Sequence, residues 1–118
     1  FITLHVPAAA GTAGMINSRS LAAMKKTAFL INTARGELVD EVALYEALKT
    51  GVIAGYGADT LLQEPPAADH PLLSLPGVII TPHCGAYTSE AVMRCSVIAA
   101  QEVVRVLAGE APLYAVTK

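Results

Sequence analysis

Apolar positions come in short blocks that switch between a strand-like and a helix-like period along the chain. Phe1–Val6 (FITLHV) reads as a strand, closed by Pro7 and a loop of small residues from Ala8 to Gly14. Asn17 and Ser18 can cap a short helix through Leu21–Lys26, with Lys25 and Lys26 suited to its last turn. Ala28–Asn32 is a continuous apolar run, the pattern of a strand covered on both faces. Asp40 is placed to cap a helix over Glu41–Lys49. Val42, Leu44, Tyr45 and Leu48 form its stripe, and Gly51 stands just past its end. Val52–Asp59 reads as a glycine-rich third strand and Val78–Thr81 as a fourth, stopped by Pro82. The proline-rich stretch Gln63–Pro76 between them is a loop with room for one helical turn around His70–Ser74. Thr88 or Ser89 then caps a long helix to about Ala108, which Gly109 stops. Val92, Met93, Val97, Ile98, Val103, Val104 and Leu107 recur in it at helical spacing.

Short apolar strands alternating with helices indicate an α/β fold, a Rossmann-like parallel sheet with flanking helices joined by right-handed crossovers. The number of elements suits the C-terminal half of a dinucleotide-binding domain better than a whole one. Composition sharpens this. Over 118 residues, 53% are apolar and 15% charged, which excludes a disordered chain. A net charge of −2 lacks the basic footprint of a nucleic-acid binder. No apolar run approaches the ~18 residues of a membrane span, and no secretory leader pattern is visible. Phe1 already stands inside a strand-like run, so the chain is expected to be part of a larger protein. Cys84 and Cys95 do not make a disulfide framework and are expected to be reduced, buried thiols of a cytoplasmic protein.

Ligands of an open parallel sheet bind beyond the carboxyl ends of its strands. The first strand is followed by His5-Val6-Pro7, the second by Thr33-Ala34-Arg35-Gly36, the third by Asp59 with Glu64 beyond it, and the fourth by His83-Cys84-Gly85-Ala86. One rim of a charge-poor chain thus gathers a guanidinium, two carboxylates and an imidazole, and Arg35, Glu64 and His83 are expected to converge there. An Arg fork grips a carboxylate with paired hydrogen bonds. A His moves a proton near neutral pH, and a Glu beside it fixes the ring. Together they suit redox chemistry on a 2-hydroxy or 2-oxo acid, with a cofactor carrying the hydride. Each residue also has a plainer reading: Arg35 as a surface side chain, Glu64 and His83 as loop residues, Asp59 as a cap. His5 and His70 have no partner in the sequence pattern and read as structural or exposed. The His and Cys spacings fit no metal site, and no GxGxxG links a strand to a helix.

Asn32-Thr33-Ala34-Arg35-Gly36 with Leu38-Val39-Asp40-Glu41, Asp59 with Glu64-Pro65, and Thr81-Pro82-His83 with Gly85 resemble, in order and spacing, the signatures of the D-isomer-specific 2-hydroxyacid dehydrogenases. Leu4-His5-Val6-Pro7 and Gly14-Met15-Ile16-Asn17 fit the stretch before them, and phosphoglycerate dehydrogenase-like members are nearest in pattern. The resemblance implies a substrate domain and an inserted NAD-binding domain. Residues 1–118 match the C-terminal part of the latter, with the glycine-rich loop and the substrate domain lying outside them. It implies Arg35 as the substrate-carboxylate ligand, His83 as general acid/base and Glu64 as its partner. Asp59 would face the nicotinamide carboxamide, while Val6, Pro7, Thr33, Ala34, Gly85 and Ala86 would line the cofactor alongside Arg35 and His83. It also implies NAD as cofactor with NADP open, a homodimeric complete enzyme, and no catalysis by these residues alone. Thr60-Leu61 stands where the family usually has Val-Phe, and Cys84 where it has an aliphatic residue. A dinucleotide-sensing, corepressor-like module without turnover is the alternative, and an inert fragment a third.

Overall fold

The computed structural model describes residues 1–116 as two compact units, Phe1–Cys84 and a second unit beginning at Gly85. In the first, strands β1 (Ile2–Leu4), β2 (Phe29–Asn32), β3 (Gly55–Ala58) and β4 (Val78–Ile80) form one parallel sheet in chain order. Helix α1 (Ser18–Ala22) crosses from β1 to β2 and α2 (Glu41–Lys49) from β2 to β3. Both crossovers step in the same direction, so right-handed connections put both helices on one face, where they pack together. A 3₁₀ turn at Gly36–Leu38 precedes α2, and another at Pro71–Ser74 leads into β4.

The register aligns Leu4, Asn32, Ala58 and Ile80 in one row and Ile2, Leu30, Tyr56 and Val78 in another. Alternation puts both rows on the same face. That face carries the core: Leu30, Tyr56, Ala58 and Leu4 close against Leu21 of α1, Leu44 and Ala47 of α2, and Leu72. The intervening row, Thr3, Ile31, Gly57 and Ile79, faces the other way, and Ile79 is 72% exposed. The apolar run in β2 therefore does not mean cover on both faces within this unit. Its outward residue Phe29 stacks instead on the ring of Phe1.

Local signals set the helix starts. Asn17 forms a reciprocal capping box with Ser20, and the Asp40 carboxylate accepts the Val42 and Ala43 N–H groups. Helix α1 ends at Ala22, so Lys25 and Lys26 lie outside it. The Met24 N–H bonds back to Leu21 and the Ala28 N–H to Lys25, tight turns that steer the chain into β2. In α2 the buried stripe runs through Leu44 and Ala47, while Val42 is 77% exposed. Strands are shorter than the apolar blocks that predicted them, because only residues facing a partner strand join the ladder. Phe1, His5 and Val6 fall outside β1, Val52–Ala54 and Asp59 outside β3, and Thr81 outside β4.

The second unit is dominated by helix α3 (Ser89–Leu107), capped by Thr88 and followed by Gly109 at φ 82. Glu90 in its first turn is held below the usual carboxylate range, first by its own backbone N–H and then by the Thr88 hydroxyl. Glu102 accepts the backbone N–H groups of Leu113 and Tyr114, which folds the following segment back along the helix. No residue of α3 is buried.

Candidate active site

The exit of β3 organises the site. Asp59 is buried, and its Oδ1 accepts both the Thr81 hydroxyl and the Cys84 backbone N–H, the latter at 2.9 Å. These anchors bracket His83. Its own N–H bonds back to the Thr81 carbonyl across Pro82, a tight turn for which proline's fixed φ is suited. His83 takes φ 52, in the left-handed region that side chains other than glycine enter at a cost of roughly 1–3 kcal/mol. The double grip of Asp59 around it is what holds that conformation.

The strained turn brings His83 onto Glu64. Its Nδ1 lies 2.7 Å from Glu64 Oε2, with the imidazole 50% and the carboxylate 36% exposed. A carboxylate only accepts, so the ring proton sits on Nδ1 and Nε2 points away from the pair. Glu64 Oε1 meanwhile accepts the Leu61 N–H at 2.9 Å. The bond to His83 and then the one to Leu61 hold the Glu64 carboxyl below its usual range. Asp59, Glu64 and His83 border a hollow of about 370 Å³ whose other walls include Leu61, Pro65, Leu73 and Ile80.

Arg35 leaves the sheet at the neighbouring exit. Asn32, fully buried at the end of β2, donates to the Arg35 carbonyl at 2.8 Å and accepts the Ala34 N–H at 3.1 Å, folding residues 33–35 into a compact loop. The exposed guanidinium donates to the Ala34 carbonyl at 2.7 Å. It lines a second hollow of about 310 Å³ with His5, Val6, Pro7, Thr33 and Ala34, at the exits of β1 and β2. The expected residues thus share one edge of the sheet but divide between adjacent hollows, with Glu64 and His83 in contact and Arg35 apart. Gly85 and Ala86 open the second unit and are exposed there.

Other expectations change. Cys84 and Cys95 are exposed free thiols, not buried ones, because Cys84 follows the surface turn of His83 and α3 buries none of its faces. His70 does have a partner, Glu41 at 3.3 Å. Gly36 was a motif residue without a role. A Cβ there would run into the backbone of Leu61 and Leu62, so glycine alone lets the Arg35 loop lie against the Glu64 loop. Burial pushes the Tyr56 hydroxyl up to about 12, with a hydrogen bond to Asn32 working against that rise and the charge of Glu41 adding to it. The signals for Asn32 and Gly36 were their places at a strand exit and in a tight turn. Among the described residues no group of His, Cys, Asp and Glu gathers as a metal site would, and no helix is long and apolar enough to cross a membrane.

Residues 1–85 match the family described as D-isomer specific 2-hydroxyacid dehydrogenase, NAD binding domain. The chain is 50% identical over 110 residues to a D-3-phosphoglycerate dehydrogenase of Methanocaldococcus jannaschii, an alignment covering 93% of this chain and 21% of that protein. The crystal structure of D-lactate dehydrogenase with NAD+ from Lactobacillus jensenii superposes with a TM-score of 0.88 at 37% identity, over 99% of this chain and 39% of that one. An NADPH-dependent glyoxylate/hydroxypyruvate reductase from Sinorhizobium meliloti, solved with NADP, gives 0.86 at 32% identity, over 94% and 34%. The chain belongs to the D-isomer-specific 2-hydroxyacid dehydrogenase family, in its NAD-binding domain. It spans between 21% and 34% of the length of the curated relatives it matches first.

Proposed function

We propose that these residues are the C-terminal part of the NAD-binding domain of a dehydrogenase that interconverts a D-2-hydroxy acid and its 2-oxo acid. The observation that carries this reading is the Glu64–His83 contact of 2.7 Å at a strand exit, with Nε2 turned away from it beside a mostly apolar hollow. Anchored through Nδ1, the His83 ring takes the substrate hydroxyl proton at Nε2 during oxidation and returns it during reduction. Glu64 keeps the ring oriented and stabilises the imidazolium formed when the proton arrives. Arg35, with one donor engaged by Ala34 among the described residues, offers the rest of its fork to the substrate carboxylate. Asp59, which holds the His83 turn through the Thr81 hydroxyl and the Cys84 N–H, serves that turn and the carboxamide side of the site.

Two features support a nicotinamide dinucleotide, NAD or NADP. The hollows lie at the carboxyl edge of a parallel sheet, where such folds take dinucleotides. Val6, Pro7, Thr33 and Ala34 line an open recess with Arg35 and His5, and these four uncharged residues suit a ring and ribose. Gly85 and Ala86, two and three positions after His83, are assigned to the cofactor by the family resemblance alone. A nicotinamide bound there would supply the hydride acceptor and donor for C2. The complete protein is read as a cytoplasmic homodimer acting on a small acid rather than on nucleic acid or at a membrane. The net charge of −2 supports the choice of partner, and the uncovered apolar positions of α3 support the dimer. The dinucleotide-sensing alternative finds no support in these relatives.

The test is turnover. The full-length protein carrying this chain, given NADH or NADPH and a panel of 2-oxo acids, is expected to oxidise the cofactor with at least one acid. Tight cofactor binding with no turnover across the panel would contradict the reading.

A further inference from the structure

Glu41 opens α2, where a first-turn carboxylate ordinarily complements the helix dipole. Its two oxygens are committed elsewhere. Oε1 accepts the Leu62 N–H at 2.8 Å, from a residue 21 positions along the chain, and Oε2 meets His70 Nε2 at 3.3 Å. Both side chains of this second pair are only 15% exposed, and His70 Nδ1 is buried with no hydrogen-bond partner among the described residues. The contact with Glu41 is therefore the ring's polar tie to the unit.

Leu62 follows Leu61, whose N–H is held by Glu64. Consecutive backbone N–H groups are thus gripped by two separate carboxylates, Glu64 on Leu61 and Glu41 on Leu62, while Gly36 packs against the same peptide. The loop bearing Glu64 is exposed from Leu62 to Pro65, so it has little packing of its own to fix its position. Glu41 supplies a rigid point on a capped helix, and His70 ties the far end of the loop to the same carboxylate.

We propose that Glu41, braced by His70, is a positioning residue that sets the Leu61–Glu64 turn and through it the alignment of Glu64 with His83. The proposal rests on the proton-transfer reading of that pair. Loss of Glu41 frees the Leu62 N–H and lets the turn relax, and misplacement on the scale of an ångström costs catalysis up to ~100-fold.

The experiment compares Glu41→Ala, Glu41→Gln, Glu64→Ala and the double variant Glu41→Ala/Glu64→Ala in the full-length protein. It measures kcat, KM, cofactor Kd and the urea midpoint for each. Glu41→Ala is expected to lower kcat ~10–100-fold with cofactor Kd unchanged. Glu41→Gln, which keeps an oxygen for Leu62, is expected to recover most of that loss. In the Glu64→Ala background, Glu41→Ala should lower kcat no further, since its effect passes through Glu64. A purely structural role would move the urea midpoint while kcat per folded molecule stayed at wild type, or would give losses that multiply in the double variant. Either result overturns the proposal. Wild-type kcat in Glu64→Ala alone would instead remove the reading of the catalytic pair beneath it.

Discussion

Glu64 and His83 meet at 2.7 Å with the imidazole half exposed, whereas Glu41 and His70 meet at 3.3 Å with both side chains 15% exposed. The residue types are the same and both pairs join distant parts of one chain. What separates them is the second ring nitrogen. In His83 it is turned from the pair, on a residue that borders an open hollow and is held at φ 52 by anchors on either side. In His70 it is buried without a partner among the described residues. A ring fixed at one nitrogen and accessible at the other can exchange a proton with a ligand. A ring closed at both can only brace the fold. Access and backbone strain, not the identity of the pair, separate the pair proposed for chemistry from the one that braces the fold.

The sharpest break between the pairs is kinetic. In the full-length protein, His83→Ala is expected to lower kcat by ~10²–10⁴-fold while cofactor affinity, measured by fluorescence titration, stays within a few-fold. His70→Ala leaves the Glu41 bond to the Leu62 N–H in place and should keep most of the turnover. Its main effect should be on stability, a loss of about 1–3 kcal/mol in urea denaturation from stranding the half-buried Glu41 carboxylate. Comparable losses of kcat in both variants would erase the distinction.

Arg35→Ala comes next, with kcat/KM expected to fall by ~10²-fold through both constants, because the role proposed for the fork is to orient as well as bind. A change in KM alone would make Arg35 a simple binding residue. Gly36→Ala is expected to cost about 1–3 kcal/mol, since the new Cβ meets backbone at Leu61 and Leu62 rather than a yielding side chain. The unfolding midpoint would report it.

The smallest effect concerns pH. The folded-state pKa of Glu64 is depressed below its ordinary 4.5, so its contribution to stability is present above that value and lost as pH falls through the lower one. Glu64→Gln should therefore lower the urea midpoint slightly at pH 6, and the difference from wild type should close well below pH 4.5. The pair is exposed, so solvent screens it and the shift is modest. A difference that widened in acid would contradict the sign.

What could be read along the chain was what local chemistry decides. Asp40 was a recognisable cap, and the second was narrowed to Thr88 or Ser89, because capping needs only the next few residues; the structure has Thr88. The order Arg35, Glu64, His83 pointed to one edge because parallel strands put their exits together. Nothing local linked Glu41 to His70, 29 positions on, or set Gly36 against Leu61, since both depend on how α2 and the loop after β3 approach in space. The stripe of α3 identified a helix but not a buried one. Periodicity reports which positions could be covered, and Val92, Met93 and Val97 remain exposed. The same limit explains β2, where apolar residues on both faces accompany cover on one.

The account turns on the free nitrogen of His83, and one structure examines it directly. A crystal structure of the full-length protein with NADH and a non-reactive 2-oxo acid analogue should show Nδ1 still on Glu64 and Nε2 within 2.6–3.2 Å, or one water, of the C2 oxygen. An analogue whose C2 oxygen is bound by another group, with His83 Nε2 beyond one-water reach, would contradict it.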